Sequence, residues 1–188
     1  IGQEVLWKET FKPAEVKKHV AVIGAGPAGL EAARIATLRG HRVTLIEKGR
    51  KVGGQLLLAA KAPGRDSFED YLYFSENEIE RLGIDLMLET EATPEFLLEL
   101  KPDVVVCSTG SEARSPAEVE GAESSNVVQG WDVLAGKATV GDKVALYSED
   151  DYFETPNIAE ALAVKGKQVT IFHKWAQIGK EIDRYSFG

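Results

Sequence analysis

At 188 residues the chain has room for one large domain, or for one domain and part of another. Its 44% hydrophobic and 28% charged residues are ordinary for a globular protein, while a net charge of −8 argues against nucleic acid or an anionic membrane surface as a partner. A single cysteine excludes a disulfide framework and a Cys-x-x-Cys redox pair; no apolar run approaches the ~20 residues of a spanning helix and no signal peptide is visible, so a reducing, cytoplasmic setting is expected.

In chain order, residues 1–18 are polar and mixed and read as a connector. They start at Ile1 rather than Met, as in a piece excised from a longer protein. Val20 to Ile23 is a short apolar run, expected as a buried parallel strand. A helix is predicted from Pro27 to about Arg39, because proline suits the first helical position and Gly40 suits the stop. Arg42 to Glu47 is the second strand. Asp66 to Leu82 carries Phe68, Tyr71, Leu72, Ile79 and Leu82 on one helical stripe, ended by Gly83. Ile84 to Leu88 follows as a strand, Pro94 to Leu100 as a short helix, and Asp103 to Cys107 as another buried strand, which puts Cys107 in the core. From Glu112 to Asp142 the pattern is irregular, with "WDVLAG" as a helical turn. Alternating strands and helices predict an α/β fold with a largely parallel, Rossmann-like sheet.

"GAGPAG" fits G-x-G-x-x-G at Gly24, Gly26 and Gly29, between a predicted strand and a predicted helix that opens on Pro27 and Ala28. The first glycine permits the tight turn, the second lets backbone approach a pyrophosphate, and the third lets helix and strand pack closely. Glu47, followed by Lys48, ends the next strand, where a carboxylate accepts hydrogen bonds from ribose hydroxyls. Gly53, Gly54 and Gln55 come soon after, and Ser108-Thr109-Gly110 puts small residues where the chain must pass near a cofactor. An ADP moiety at this turn is the expectation. No metal-ligand cluster, Ser-His-Asp set or general-base pair emerges.

The same frame recurs. His19 to Lys48 and Lys143 to Lys174 share strand, turn, helix, glycine and second strand, and "RGHRVTLIEK" nearly repeats as "KGKQVTIFHK". The second turn has lost its glycines: Ser148 to Glu154 read "SEDDYFE". Side chains stand where only glycine leaves room. Carboxylates stand where phosphates would dock, and one like-charge pair at ~4 Å costs about 4 kcal/mol at an effective dielectric near 20. His173 replaces Glu47 in the repeat, so the ribose acceptor is missing as well. NAD(P)H is not expected to bind at this turn.

The Gly-rich turn, Glu47, the Gly-Gly-Gln segment and Ser-Thr-Gly together resemble the flavin domain of the glutathione-reductase-like, two-dinucleotide-binding-domain flavoproteins. More closely, "VAVIGAGPAGLEAAR", "GHRVTLIEKGRKVGGQLLLAAKAPGR", "KPDVVVCSTGS" and "GWDVLAGKATVG" resemble the C-terminal region of the 2,4-dienoyl-CoA reductase and trimethylamine dehydrogenase family, old-yellow-enzyme-like iron–sulfur flavoproteins. The likeness runs over roughly residues 1 to 174. It implies an N-terminal TIM barrel with FMN, then a 4Fe–4S cluster, then this region as a connector (1–18), an FAD/ADP-binding domain (19–111), an interdomain connection (112–142) and a partial, degenerate NAD(P)-binding-type unit (143–188). By position it gives the cofactor contacts to Gly24, Gly26, Pro27, Ala28, Gly29, Glu47, Lys48, Gly54 and Gln55, with Ala92 bordering the adenine and Thr109-Gly110 the far phosphates. The altered second turn resembles the amine dehydrogenase and N-methyl amine demethylase branch, which implies electrons passing from an amine through FMN and the cluster to an electron-transfer flavoprotein. In that branch ADP takes the place of FAD, and Gly26 with Glu47 reads only the portion the two ligands share. A non-catalytic ADP-binding structural domain and an NAD(P)H-dependent enoyl(-CoA) reductase are the alternatives.

Overall fold

The computed structural model describes residues 12–114, 119–149, 152–179 and 182. They form two compact units. The first holds the described residues up to Leu57 together with Ser67–Ser111, and the second holds Leu58–Asp66 and the described residues from Glu112 onward.

The first unit is built on four parallel strands, β1 (His19–Ile23), β2 (Arg42–Ile46), β3 (Asp85–Met87) and β4 (Val104–Cys107), in the order β3-β2-β1-β4. Val20 lies opposite Val43 and Val104, and Ile23 opposite Ile46 and Cys107. The apolar runs of β1 and β2 become the two central strands because both of their faces are covered: Ala21, Val22 and Leu45 are fully buried. Removing a leucine of this kind from water contributes about 2 kcal/mol. Thr44 is buried to the same degree, and its hydroxyl is satisfied by donating to Asp85 Oδ2 (3.1 Å) and lying 3.0 Å from His19 Nε2.

Helix α1 (Pro27–Leu38) lays Leu30 and Ala33 on the sheet, and Gly40 stops it at φ +89° with its N–H on the Thr37 carbonyl, 2.8 Å away. After a single turn, α2 (Leu56–Ala59), comes α3 (Ser67–Leu82), which packs against α1. Ser75 joins the inward stripe of α3 at no cost in unsatisfied polarity, because its hydroxyl donates to the Tyr71 carbonyl at 2.8 Å. Helix α4 (Pro94–Leu100) is seven residues long and buries none of them fully, so its N-cap carries much of its stability: Thr93 Oγ1 accepts from Phe96 N at 3.2 Å, with Pro94 at the first position. Thr93→Ala is therefore expected to lower unfolding free energy by about 1 kcal/mol in urea titrations; an unchanged midpoint would show that the cap contributes nothing.

The second unit contains α5 (Gly130–Ala135), β5 (Lys143–Ser148), α6 (Glu154–Val164) and β6 (Gln168–His173). Its two strands are parallel, in register from Lys143 opposite Gln168 to Ser148 opposite His173, and α6 packs on both through Thr155, Ile158, Ala161 and Leu162. The α/β class and the parallel sheets are those predicted from the alternation of elements.

One expectation is corrected. The strand at Asp103–Cys107 is not buried: among the described residues β4 is an edge strand with a neighbour on one side only, Val104 and Val105 are exposed, and so is Cys107. Only Val106 packs against the core. An apolar run cannot tell an edge strand from a central one, because strand order is a long-range property.

Candidate functional site

Strand order locates the site. The chain steps from β1 to β2 to β3 on one side, then returns to place β4 on the other side of β1. In a parallel α/β sheet the crevice beyond the carboxyl ends, where the order reverses, is where ligands bind. Here that point is the end of β1, where Gly24 to Gly29 turn into α1.

The three glycines do different work. Gly24 has φ +94°, and a Cβ there would run into the Ser108 carbonyl oxygen at the end of β4. A Cβ on Gly29 would collide with the Gly24 carbonyl oxygen and lie 2.7 Å from Ser108 Oγ. These two positions hold strand and helix together. Gly26 is the opposite case: φ −74° and ψ 179° suit any residue, and a Cβ would meet nothing within 4 Å. Its missing side chain leaves open space at the start of α1. No side chain caps that helix start, so the N–H groups of its first turn, including those of Ala28 and Gly29, point out of it beyond Pro27.

Two further segments close around this turn. Gly53 N donates to Ala25 O at 2.7 Å, and Gly54 (φ +53°) comes so close that its Cβ would lie 3.0 Å from Gly26 Cα. Gln55 then reaches across, its Nε2 donating to both the carbonyl and the hydroxyl of Ser111 at 3.0 Å. Thr109 and Gly110 lie exposed between Ser108 and that bridge. Ser108 pins the turn from beneath: its N–H donates to Ile23 O, and its hydroxyl lies 2.9 Å from Ile23 O and 3.2 Å from Gly24 O.

On the other flank, half-buried Glu47 spans two loops. Its Oε2 accepts from Ala25 N at 2.8 Å and its Oε1 from Gly49 N at 2.7 Å, which leaves each oxygen a lone pair for a ribose hydroxyl. Lys48 is exposed beside it. The chain after β3 is stitched to the same loop by Glu89 N on Gly49 O and Thr90 N on Glu47 O, both 3.0 Å, which brings Ala92 to this side. The structure thus brings Gly24, Gly26, Gly29, Gly54, Gln55 and Gly110 together around the turn after β1, with Glu47 on its flank. Sequence reasoning missed Ser111, Gly49 and the backbone of Ala25, whose parts are played by main-chain atoms or by a neighbour of a motif. The serine repeated across "STGS" was the one available signal. Open space at Gly26 beside the start of α1, and a carboxylate at Glu47 held by two backbone N–H groups, are the features by which this turn could hold a nucleotide.

The second turn has different contents. Ser148 and Thr155 are hydrogen-bonded through their hydroxyls. Glu149 accepts from Tyr147 Oη at 2.8 Å and pairs with Lys174 at 3.3 Å; the Tyr147 hydrogen bond, then Lys174, hold its carboxyl below the usual range. Phe153 stands at the N-cap of α6 with the Arg65 guanidinium 4.4 Å above its ring, and Arg65 also donates to Asn157 Oδ1 at 3.2 Å. Asp150 and Asp151 lie outside the described residues. His173 Nδ1 accepts from Trp175 N at 3.2 Å. Among the described residues no group of histidine, cysteine and carboxylate side chains is placed to hold a metal, and no helix is long and apolar enough to cross a membrane.

A Gly-rich β-turn-α unit on a parallel sheet is shared by many nucleotide-binding folds, so the fold alone does not decide the family. Residues 18–166 match the family described as pyridine nucleotide-disulphide oxidoreductase. The chain belongs to this family. Within it, the relatives of this pyridine nucleotide-disulphide oxidoreductase domain are trimethylamine dehydrogenase- and dienoyl-CoA reductase-like flavoproteins. The chain is 41% identical over 160 residues to the N,N-dimethylglycine/sarcosine dehydrogenase of Chromohalobacter salexigens, covering 82% of this chain and 23% of that protein. It is 37% identical over 187 residues to the NADH oxidase of Thermoanaerobacter brockii, covering 98% of this chain and 28% of that one. Among solved structures, a complex of 2-naphthoyl-CoA reductase with 2-naphthoyl-CoA superposes with a TM-score of 0.89 at 36% identity, over 96% of this chain and 27% of its own. The chain spans about a quarter of the length of the relatives it matches. It is an FAD/NAD-binding Rossmann-type domain of flavin-dependent oxidoreductases.

Proposed function

We propose that the chain is the FAD- or ADP-binding portion of a multidomain oxidoreductase in which electrons pass between an FMN/4Fe–4S centre and a partner instead of arriving from NAD(P)H. The observation that carries this reading is the contrast between the two repeats. At Gly26 a side chain is missing and the space is open; at the matching turn Ser148, Glu149 and Phe153 are engaged with the protein's own groups. In this reading Gly26, Ala28 and Gly29 hold the diphosphate through backbone N–H groups at the positive end of α1. Pro27 fixes the first turn, Glu47 takes the ribose with Lys48 beside it, and Ala92 borders the adenine. Gly54 and Gln55 close one wall, and Thr109 and Gly110 the other. Bound FAD would supply a redox centre, whereas ADP would supply none. The partners that follow are an N-terminal TIM barrel of the same polypeptide and an electron-transfer flavoprotein.

The experiment is a calorimetric titration with NADH or NADPH while saturating ADP fills the first turn, so that binding there does not confuse the result. No saturable heat is expected. Submillimolar affinity that disappears when Ser148–Phe153 is mutated would overturn the reading and restore the NAD(P)H-dependent reductase. Absorbance of the purified full-length protein addresses the other ligand: a flavin spectrum in excess of the FMN supports FAD in the first turn, and bound ADP with FMN alone supports the structural role.

A further inference from the structure

The intact turn accepts the ADP portion common to two ligands, and what separates them lies further along the crevice. The strand order sets the direction. On the reading proposed above, ribose would lie over β2 at Glu47 and the diphosphate over β1 at Gly26, so the remainder of a dinucleotide would continue over β4, whose end carries Ser108 to Ser111. Across that route stands the bridge from Gln55 to Ser111, two hydrogen bonds of 3.0 Å from one amide nitrogen. Gln55 follows Gly54, which is packed on Gly26, so the glutamine reaches out from the wall of the diphosphate cradle itself. Gly110 sits beneath, with the amide nitrogen 3.8 Å from where its Cβ would be and φ at +74°. Both bonds join exposed groups, so water competes for them and the bridge opens at low cost.

We propose that Gln55 and Ser111 form a latch over the β4 side of the site: closed, it admits an adenine nucleotide that ends at the diphosphate; opened, it admits the longer flavin dinucleotide. This rests on the reading of the intact turn given above and makes Gln55 a specificity determinant rather than a wall alone. A ligand extending past the diphosphate must break both bonds before it binds, and ADP need break neither.

ADP and FAD are titrated separately into the full chain and its Gln55→Ala and Ser111→Ala variants, and the ratio of the two affinities is compared. Gln55→Ala removes both bonds and is expected to raise the preference for FAD about fivefold, the size set by two exposed hydrogen bonds. Ser111→Ala, which leaves the carbonyl acceptor, should shift the ratio in the same direction by less. A ratio that falls in Gln55→Ala and stays put in Ser111→Ala would make the glutamine a direct FAD contact and end the proposal; an unmoved ratio in both would end it too. As a second readout on the parent chain, the Gln55 side-chain amide signals should stay in place when ADP is added and move with FAD, and movement with ADP would count against the latch. Failure of the parent to bind ADP would instead reject the nucleotide-site reading, so the two failures are told apart.

Discussion

Gly29→Ala is expected to destabilise the first unit by about 3 kcal/mol or more, and Gly26→Ala to leave stability intact while abolishing nucleotide binding. The difference lies in what an added methyl meets. At Gly29 it would overlap the Gly24 carbonyl oxygen and crowd Ser108 Oγ, and neither can retreat: one is backbone and the other is tied to Ile23 and Gly24. Helix α1 would have to lift from β1, taking Leu30 and Ala33 out of the core. At Gly26 the methyl meets nothing in the protein and the backbone angles suit alanine. Replacing glycine gains up to about 1 kcal/mol through the unfolded chain, and alanine's poorer fit as the N-cap of α1 offsets it, so stability stays about where it was. The methyl would nonetheless stand where a diphosphate is to lie against the backbone. Chemical denaturation and ADP calorimetry on the two variants separate these effects. A Gly29→Ala chain as stable as the parent would show that the helix has room to shift, and a Gly26→Ala chain that binds ADP normally would place the diphosphate elsewhere.

Glu47→Ala is expected to weaken ADP binding roughly tenfold to a hundredfold, the worth of charge-assisted hydrogen bonds to a ribose diol at about 1.5–3 kcal/mol. The structure adds a second loss. Ala25 is fully buried and its N–H donates to Glu47, so alanine at 47 leaves a buried donor without its acceptor, at a cost of about 1–3 kcal/mol in stability. Glu47→Gln keeps one acceptor oxygen and should fall between the two in both measurements. Equal ADP affinity for parent and Glu47→Ala would remove Glu47 from the site. Reduced affinity without reduced stability would mean that water replaces the carboxylate at Ala25.

Both predictions rest on residues whose importance was legible in the chain, yet for reasons that only partly were. The hexapeptide from Gly24 to Gly29 announces a tight turn, and Pro27 and Gly40 bracket its helix, because those choices are local: they follow from φ, ψ and the geometry of a helix start. The repeat from Lys143 to Lys174 was likewise readable, since β5, α6 and β6 follow one another along the chain as their counterparts do. Residue types at the second turn, Ser148 to Glu154, spoke against a phosphate without any coordinates.

What the chain alone determined, then, are features set by neighbours in sequence: the α/β alternation, the two βαβ frames, the glycines at one turn and the acids at the other. Tertiary structure decided whatever depends on residues far apart. It put β4 on the edge of the sheet, which left Cys107 exposed in spite of an apolar run that reads as core. It closed Gly24 to any side chain through the Ser108 carbonyl, 84 positions later, and gave Glu47 a second duty through the N–H of Ala25. It joined Gln55 to Ser111, a pair no motif connects. The physical reason is the same each time: hydrogen bonds and van der Waals contacts act over a few ångströms in space, and only the folded sheet brings those atoms within reach.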